Sequence, residues 1–401
     1  MANTSANTPR CAALIGPYLS GKTTLLEALL FAAGSTGRRG SVRDGNSVGD
    51  HAPEARARQM STELNVASAN FLGDPWTILD CPGSVELLYE AQGALLASDV
   101  AVVVVEPEVE RALTISALLR FLDQHSIPHM IFINKMDNAN ARVRDVLAAL
   151  QSVSSRPLVL RQVPLRGAEG EITGYVDLVS ERAYRYRPGQ ASDLMPLPDG
   201  FWDQERETRN GLIEKLADFD DTLLEQLLEE VEPPKEEIYR HLTQTLKGAQ
   251  VVPVFLGSGL ADYGVRRLWK ALRHEAPSPQ ETAARQGIAA EGEPLAQVIK
   301  TYHLPHTGKL SLVRVWRGTI TEGMVLNGTR VAGLLRVTGG QHEKLASAQT
   351  GEVVGLTRME DIATGVVLTP SGRRHRCRGP SARSRSLASR LPRKGGPTTS
   401  N

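Results

Sequence analysis

The sequence has few cysteines, few aromatic residues and no long apolar run. Its three cysteines, Cys11, Cys81 and Cys377, are odd in number and far apart, so they define neither a disulfide framework nor a metal-binding spacing. The longest apolar stretches, such as VAVVVV at 100–105, have the length of a strand and are too short to span a bilayer. Residues 1–10, MANTSANTPR, lack the apolar segment of a secretory signal. We therefore expect a cytoplasmic protein without membrane association.

Acidic and basic residues balance over the whole chain but not along it. The 401 residues include 46 Lys and Arg and 45 Asp and Glu. Nine of the basic residues and none of the acidic ones lie from Ser371 onward, so the preceding residues carry a net charge of −8. Arg, Ser, Gly and Pro make up 21 of the last 31 residues. This composition predicts a disordered basic tail over 371–401, which is either an arm that contacts RNA or the product of a truncation or frameshift.

Apolar strands alternate with amphipathic helices over most of the chain. This alternation predicts an α/β domain over 1–285, with a parallel sheet covered by helices on both faces. Alternating strand segments followed by acidic helices predict an α+β insertion at about 158–247. Short strands with frequent turn signals predict a small β-barrel over 286–370. Between Ser35 and Gln59 no period is visible, which predicts a long mobile loop.

The segment 16–23, GPYLSGKT, fits the pattern G-x-x-x-x-G-K-[ST] between a predicted strand and a predicted helix. In that context the backbone N–H groups of the loop and the helix N-terminus surround phosphates. Lys22 is expected to contact the β and γ phosphates, and the Thr23 hydroxyl to bind Mg²⁺. A plain glycine turn is the simpler alternative. The predicted phosphate-binding residues are Gly16, Ser20, Gly21, Lys22, Thr23 and Thr24.

A second loop after a buried strand, Asn134-Lys135-Met136-Asp137, fits the pattern N-K-x-D. The Asp137 carboxylate can accept the ring N–H and the exocyclic amino hydrogens of guanine, and adenine has no amino group at that position. Asn134 can link this loop to the phosphate loop, and the stem of Lys135 can cover the purine. Ser258, in the weaker motif Gly-Ser-Gly at 257–259, is expected to bring backbone to the guanine carbonyl oxygen. The order of the motifs favours GTP over ATP.

With the motif DCPG at 80–83 between these two loops, and a large insertion before Ser258, the chain resembles the translational GTPases. It is most similar to elongation factor G and elongation factor G-like proteins, over roughly residues 9–370. The resemblance implies GTP and GDP as ligands, Mg²⁺ as cofactor, the ribosome as partner and a monomeric protein. It also implies that the segment 49–61 is the first switch, in which Ser61 closes over Mg²⁺. Asp80 would hold Mg²⁺ through water, and the Gly83 N–H would sense the γ-phosphate.

The sequence departs from this family at two positions that bear on hydrolysis. Leu19 stands where the family usually has an Asp, and leucine can neither ligate a cation nor accept a hydrogen bond. Ser84 follows DCPG where the family usually has the His that orients the attacking water. A serine hydroxyl is a weak substitute for that imidazole, so we expect tight GTP binding and slow hydrolysis. Alternatively, Ser84 is simply a helix N-cap.

Two other functions stay open. The chain could be a GTP-binding regulatory module that does not hydrolyse its nucleotide, which Ser84 and Leu19 favour. It could also be a truncated fragment without translocation activity, because the family continues past the barrel with further domains.

Overall fold

The computed structural model describes residues 8–138, 142–198, 202–304, 308–373, 375 and 377. The predicted basic tail therefore lies almost entirely outside the described residues. The helices are α1 (Lys22–Ala32), α2 (Pro53–Arg58), α3 (Leu88–Ala97), α4 (Val109–Ala112), α5 (Ser116–Gln124), α6 (Val143–Val153), α7 (Trp202–Ala217), α8 (Asp221–Leu228), α9 (Lys235–Lys247), α10 (Val265–Glu275) and α11 (Pro279–Arg285). Short 3₁₀ turns lie at Val85–Leu87, Leu113–Ile115 and Met136–Asn138.

Strands occupy most of the remaining chain. The first eleven are β1 (Arg10–Ile15), β2 (Asn65–Phe71), β3 (Asp74–Asp80), β4 (Val100–Val105), β5 (His129–Ile133), β6 (Leu158–Leu160), β7 (Gln162–Arg166), β8 (Ile172–Asp177), β9 (Arg182–Arg185), β10 (Asp193–Met195) and β11 (Val252–Leu256). The others are β12 (Leu295–Leu304), β13 (Gly308–Arg317), β14 (Thr319–Thr321), β15 (Val325–Leu326), β16 (Thr329–Arg330), β17 (Leu334–Thr338), β18 (Gln341–Leu345), β19 (Ser347–Gln349), β20 (Val353–Thr357) and β21 (Val367–Leu368).

Seven strands form the central sheet of an α/β domain, in the order β2-β3-β1-β4-β5-β11-β6. Every neighbouring pair is parallel except β2 and β3, which are antiparallel. All six residues of β4 are buried, because helices cover both faces of the sheet. This architecture confirms the predicted α/β fold. Strand β1 lies between β3 and β4, and the carboxyl ends of the parallel strands share one edge, where such sheets bind their ligands.

Two apolar layers hold the helices on this sheet. On one face α1 and α10 pack together, and Trp269 of α10 stacks on Phe71 with ring centroids 4.9 Å apart. The Nε1–H of Trp269 also donates to the Leu29 carbonyl of α1 at 2.9 Å. The other face is covered by α3, α5 and α6, whose buried side chains join the second core. Among the described residues, no helix combines the length and the apolar character needed to cross a bilayer.

The segment predicted as an insertion contains a four-stranded antiparallel sheet, in the order β10-β9-β8-β7, and helices α7 to α9. Strand β6, at the start of that segment, instead pairs in parallel with β11 in the central sheet. Two ion pairs connect this region to α10. Arg267 Nε lies 2.7 Å from Asp177 Oδ2, and Arg161 Nη1 lies 2.7 Å from Glu275 Oε2. These four charged side chains are nearly or fully buried, so the insertion meets the rest of the domain through paired charges.

Strands β12 to β21 form a β domain. Six of them pair as an antiparallel sheet in the order β18-β17-β20-β13-β12-β21, and two ribbons, β14-β19 and β15-β16, accompany it. Side chains from the sheet and from both ribbons share one core, which includes Val313, Ile320 and Leu326. The fold class is thus confirmed as an α/β domain followed by an antiparallel β-sheet domain, at the place where the sequence predicts a small β-barrel.

The two domains meet along β2 and α3. The hairpin between β17 and β18 touches the edge of β2, where the Gly339 N–H donates to the Val66 carbonyl at 2.7 Å. Nearby, the Ser68 hydroxyl donates to the Val337 carbonyl at 3.3 Å. The hairpin thus covers part of the open edge of the central sheet.

Candidate nucleotide-binding site

The predicted motifs meet at the carboxyl edge of the central sheet. The phosphate loop follows β1, Asp80 ends β3, Asn134 follows β5, and Ser258 lies two residues beyond β11. Beside them is a cavity of about 660 Å³. Its wall includes the start of α1, part of the segment 39–61, Gly83 and Lys135. A cavity at this edge is the expected position for a ligand of an open α/β sheet.

The phosphate loop turns into α1 at Gly21, which has φ of 86°. A Cβ atom at Gly21 would lie 2.5 Å from Asn134 Nδ2, so both the backbone conformation and the space require glycine. No side chain caps this helix end. The unpaired N–H groups of a first helical turn suit an anion, which is the role that the motif predicts. Gly16 and Ser20, which also belong to the phosphate loop, are buried in the protein.

Lys22 is 6% exposed, and its ammonium donates to the Pro17 carbonyl at 2.8 Å. Burial lowers the pKa of Lys22, because a buried ammonium loses its hydration. A Cβ atom at Gly83 would lie 2.3 Å from Lys22 Nζ. The D-x-x-G glycine and the phosphate-loop lysine are therefore in contact, and both line the cavity in which a phosphate would add negative charge beside Lys22.

Three oxygen-bearing side chains come together from three different segments. The Thr23 hydroxyl donates to Asp80 Oδ2 at 2.7 Å and lies 3.2 Å from the Ser61 hydroxyl. The other carboxylate oxygen of Asp80, Oδ1, is buried and accepts no hydrogen bond from the described residues. Burial, together with the nearby Asp50 carboxylate, raises the pKa of Asp80 to about 7. Hydroxyl and carboxylate oxygens with an unmatched negative charge fit Mg²⁺, which prefers oxygen ligands.

Asp50 is a site residue that sequence reasoning missed. It is 3% exposed, contributes to the cavity wall and accepts a hydrogen bond from Asn65 Nδ2 at 3.1 Å. It lies in the segment 49–61, which the sequence related to metal binding only through Ser61. The signal was present, because Asp50 is the first carboxylate of that segment. The same segment contains α2, so the long mobile loop predicted over 35–59 is corrected to include a short helix from Pro53 to Arg58; Pro53 at its first turn suits a helix start.

Asn134 joins three loops. Its Nδ2 donates to the Ser20 carbonyl at 2.8 Å, and its Oδ1 accepts the Gly259 N–H at 2.7 Å. The Ser258 N–H donates to the Tyr263 carbonyl at 2.9 Å, and the Ser258 hydroxyl accepts the Ala261 N–H at 3.0 Å. Ser258 thus shapes its own turn through its N–H and its hydroxyl, and its contact with guanine stays a prediction.

Lys135 lines the cavity with φ of 58°, a left-handed conformation that places its side chain beside the phosphate loop. Its ammonium is paired with the Glu106 carboxylate, which also lies 2.5 Å from Arg111 Nη1. Glu106 directly follows β4 and is buried, yet sequence reasoning did not select it. Asp137, the last residue of the N-K-x-D loop, lies in the 3₁₀ turn Met136–Asn138.

Ser84 and Leu19, the two departures, have clear environments. Ser84 precedes the 3₁₀ turn Val85–Leu87, but its side chain caps no backbone N–H and instead donates to the Glu86 carboxylate. Ser84 therefore stands at the N-cap position of this turn, as the capping explanation expects, but its side chain makes no capping hydrogen bond. It also is not part of the cavity wall. Leu19 is 54% exposed and adopts φ of 67°, an unfavourable conformation for a leucine.

Comparison with known proteins agrees with this geometry. The family model described as the elongation factor Tu GTP binding domain matches residues 8–278. The chain belongs to this family. It is 48% identical over 371 residues to an elongation factor G-like protein of Synechocystis, covering 92% of this chain and 55% of the relative. It is 26% identical over 368 residues to elongation factor G of Mycoplasma pneumoniae, covering 87% of this chain and 53% of the relative.

Among solved structures, a crystal structure of a protein from Thermus thermophilus superposes with a TM-score of 0.81 at 29% sequence identity. That match covers 96% of this chain and 56% of the other. The chain thus spans about half the length of the relatives it matches. Both domains lie within the matched part, so the elongation factor Tu family accounts for the α/β domain and the translation factor relatives for the β domain after it.

Proposed function

We propose that this chain binds GTP and GDP with Mg²⁺ and serves at the ribosome as an elongation factor G-like protein that hydrolyses GTP slowly. The observation that carries the proposal is the convergence of Thr23, Ser61 and Asp80, which come from the phosphate loop, the first switch and D-x-x-G. A ligand that spans these three segments would account for the buried Asp80 Oδ1, which accepts no hydrogen bond from the described residues.

The chain's own residues divide the binding work. The Lys22 ammonium and the N–H groups of the phosphate loop hold the phosphates, and the Gly83 N–H faces the terminal one. Thr23, Ser61 and Asp80 provide the oxygen atoms for Mg²⁺. When bound at these oxygen atoms, Mg²⁺ would supply positive charge to stabilise the phosphates during transfer. Asp137 reads guanine, and Lys135 covers the base.

Slow hydrolysis follows from what surrounds the attacking water. Phosphoryl transfer depends mainly on positioning and electrostatic stabilisation. Ser84 gives its hydrogen bond to Glu86, so its hydroxyl does not serve as a donor in the cavity. Losing a positioned acid, base or donor costs about 10²–10⁴-fold in rate. A module that uses GTP only as a switch, without hydrolysis, is the second candidate, and the replacement of the family's usual His by Ser84 and of its usual Asp by Leu19 favours it.

The proposed partner is the ribosome, and the proposed form is a cytoplasmic monomer with an RNA contact through the tail 371–401. The test combines three measurements on the full chain. Fluorescent GTP and GDP should bind in a Mg²⁺-dependent manner and be displaced by GTP but not by ATP. The protein should sediment with ribosomes in the presence of a non-hydrolysable GTP analogue. Single-turnover hydrolysis with ribosomes separates the two candidates.

The outcomes are distinct. Absence of guanine nucleotide binding would overturn the proposal at its root. Nucleotide binding without ribosome association would reduce it to a GTP-binding module or a fragment without translocation activity. Hydrolysis at the rate of active elongation factors would refute the assignment of slow turnover.

A further inference from the structure

One buried carboxylate near the cavity has no part in the predicted motifs. Glu27 is the only acidic residue of α1, whose sequence is KTTLLEALLFA, and it is fully buried. Burying an ionised carboxylate is costly unless hydrogen bonds replace its hydration. Within the described residues it has no ion pair within 4 Å; the charge of Arg39 acts on it from farther away, and Arg39 itself pairs with Asp262.

Backbone N–H groups of one loop take the place of that hydration. Glu27 Oε1 accepts the Val48 N–H at 2.6 Å and the Gly49 N–H at 3.4 Å. Glu27 Oε2 accepts the Gly40 N–H at 3.0 Å. The two carboxylate oxygens therefore bind both ends of the segment 40–49. Hydrogen bonds to a charged acceptor are about twice as strong as neutral ones, so this grip is substantial.

The segment 40–49 approaches the Glu27 carboxylate closely. A Cβ atom at Gly40 would lie 2.4 Å from Glu27 Oε2, although Gly40 does not need glycine for its backbone angle. On the outer side, a Cβ atom at Gly339 would lie 2.3 Å from the Val48 carbonyl oxygen. The segment is thus enclosed between α1 and the hairpin of the β domain.

The position of Glu27 links this grip to the metal cluster. Glu27 comes four residues after Thr23, so the two side chains project from the same face of α1, one turn apart. Asp50 directly follows the bound segment, and a Cβ atom at Gly49 would lie 2.8 Å from Thr23 Cγ2. Helix α1 therefore carries Thr23 of the metal site and, through Glu27, also holds the segment 40–49 that leads to Asp50.

We propose that Glu27 is a positioning residue that fixes the segment 40–49 and thereby holds the first switch closed over the GTP-bound metal site. This rests on the proposed function. Because the switch closes on the γ-phosphate, the anchor raises affinity for GTP more than for GDP, and so sets the difference between the two nucleotide states.

The test uses the full chain with Glu27→Gln and Glu27→Ala. Gln keeps one oxygen, but its amide nitrogen faces a backbone N–H. The exposed Glu236→Gln serves as the matched control. Hydrogen exchange of the nucleotide-free protein should rise about tenfold or more in peptides covering 40–49, as expected for losing a charged hydrogen bond. With Mg²⁺, affinity for a non-hydrolysable GTP analogue should fall about tenfold, while affinity for GDP changes much less.

Unchanged exchange in 40–49, or an equal loss of affinity for the GTP analogue and GDP, would overturn the proposal. If Glu27→Ala does not fold, Gly40→Ala approaches the same contact from the loop and should produce the same exchange and the same nucleotide bias. Failure of the wild-type chain to bind any guanine nucleotide would instead contradict the proposed function. In that case the exchange measurement still reports whether Glu27 anchors the loop.

Discussion

Arg314 and Asp99 form an ion pair in which both side chains are completely buried. Arg314 Nη2 lies 2.8 and 3.0 Å from the two carboxylate oxygens of Asp99. Asp99 immediately precedes β4 of the α/β domain, and Arg314 lies in β13 of the β domain. Asp99 also accepts the Cys11 N–H at 2.6 Å, so the pair extends into the central sheet. The contact between the two domains therefore includes a buried ion pair, and separating the domains would leave both charges without their partners.

We expect Asp99→Asn or Arg314→Met to lower the free energy of unfolding by about 3–5 kcal/mol, because each change leaves one buried charge without its partner. Urea denaturation measures the effect. The control is Arg336→Met, which removes an exposed pair with Glu343 and should cost less than about 1 kcal/mol. Equal losses for the buried and the exposed variants would contradict the prediction.

Ser84→His should accelerate GTP hydrolysis by about 10²-fold, because an imidazole can donate to and polarise the attacking water. Ser84→Ala should leave the rate near that of the wild-type chain, because the wild-type hydroxyl is bonded to Glu86. Single-turnover phosphate release with ribosomes measures both. A large rate loss in Ser84→Ala would show that the serine itself acts in hydrolysis.

Asp137→Asn should lower GTP affinity by about 10²-fold and favour xanthine nucleotides. A carboxylate accepts two N–H groups of guanine, whereas an amide offers one donor and one acceptor, which suits a base with a carbonyl in place of the amino group. Competition with fluorescent GDP measures the change. Asp145→Asn, at an exposed position of α6, is the control. An equal loss of affinity for guanine and xanthine nucleotides would indicate a collapsed loop instead of altered base recognition.

Asp177 should make the protein sensitive to acid. Burial alone would raise its pKa, but the guanidinium groups of Arg267 and Arg161 hold the pKa of Asp177 at about 2. Its unfolded value is about 3.9, so its stabilisation is complete above that pH and is lost as the pH falls toward 2. Asp177→Asn should be less stable than the wild-type protein near neutral pH. Between pH 4 and 2 its unfolding free energy should fall by about 2 kcal/mol less than that of the wild-type protein. Urea denaturation at several pH values tests this, with the exposed Asp218→Asn as control. Parallel pH profiles of the wild-type and Asp177→Asn proteins would contradict it.

The sequence was sufficient to predict where motifs lie in the fold when their residues are close together in the chain. The phosphate loop, the D-x-x-G turn and the N-K-x-D loop each occupy a few consecutive residues after a strand, so their patterns predict the fold and the edge of the sheet. The link from Asn134 to the phosphate loop was predictable on the same grounds. The alternation of strands and helices likewise predicts the parallel sheet, since buried parallel strands are continuously apolar.

Sequence reasoning failed where a side chain acts on a distant segment. Glu27 binds Val48, and Glu106 binds Lys135, but neither carboxylate belongs to a recognised pattern. A single acidic residue in an apolar helix was the available signal for Glu27. Strand β6 has three residues, and its sequence does not show whether it joins the central sheet or a hairpin. For Ser84, the residue type and its place before a predicted helix suggested a capping side chain, but its hydroxyl bonds to the nearby Glu86 side chain instead.

The hairpin that touches β2 also affects how the α/β domain would behave alone. Strand β2 is the outermost strand of the central sheet, and the Gly339 N–H and the Thr338 hydroxyl bind backbone groups of Val66 and Ser68 on its free edge. An open strand edge is a template for pairing with another chain. A version cut before β12 would expose this edge and should self-associate during expression. We therefore expect the β domain also to protect the α/β domain from self-association.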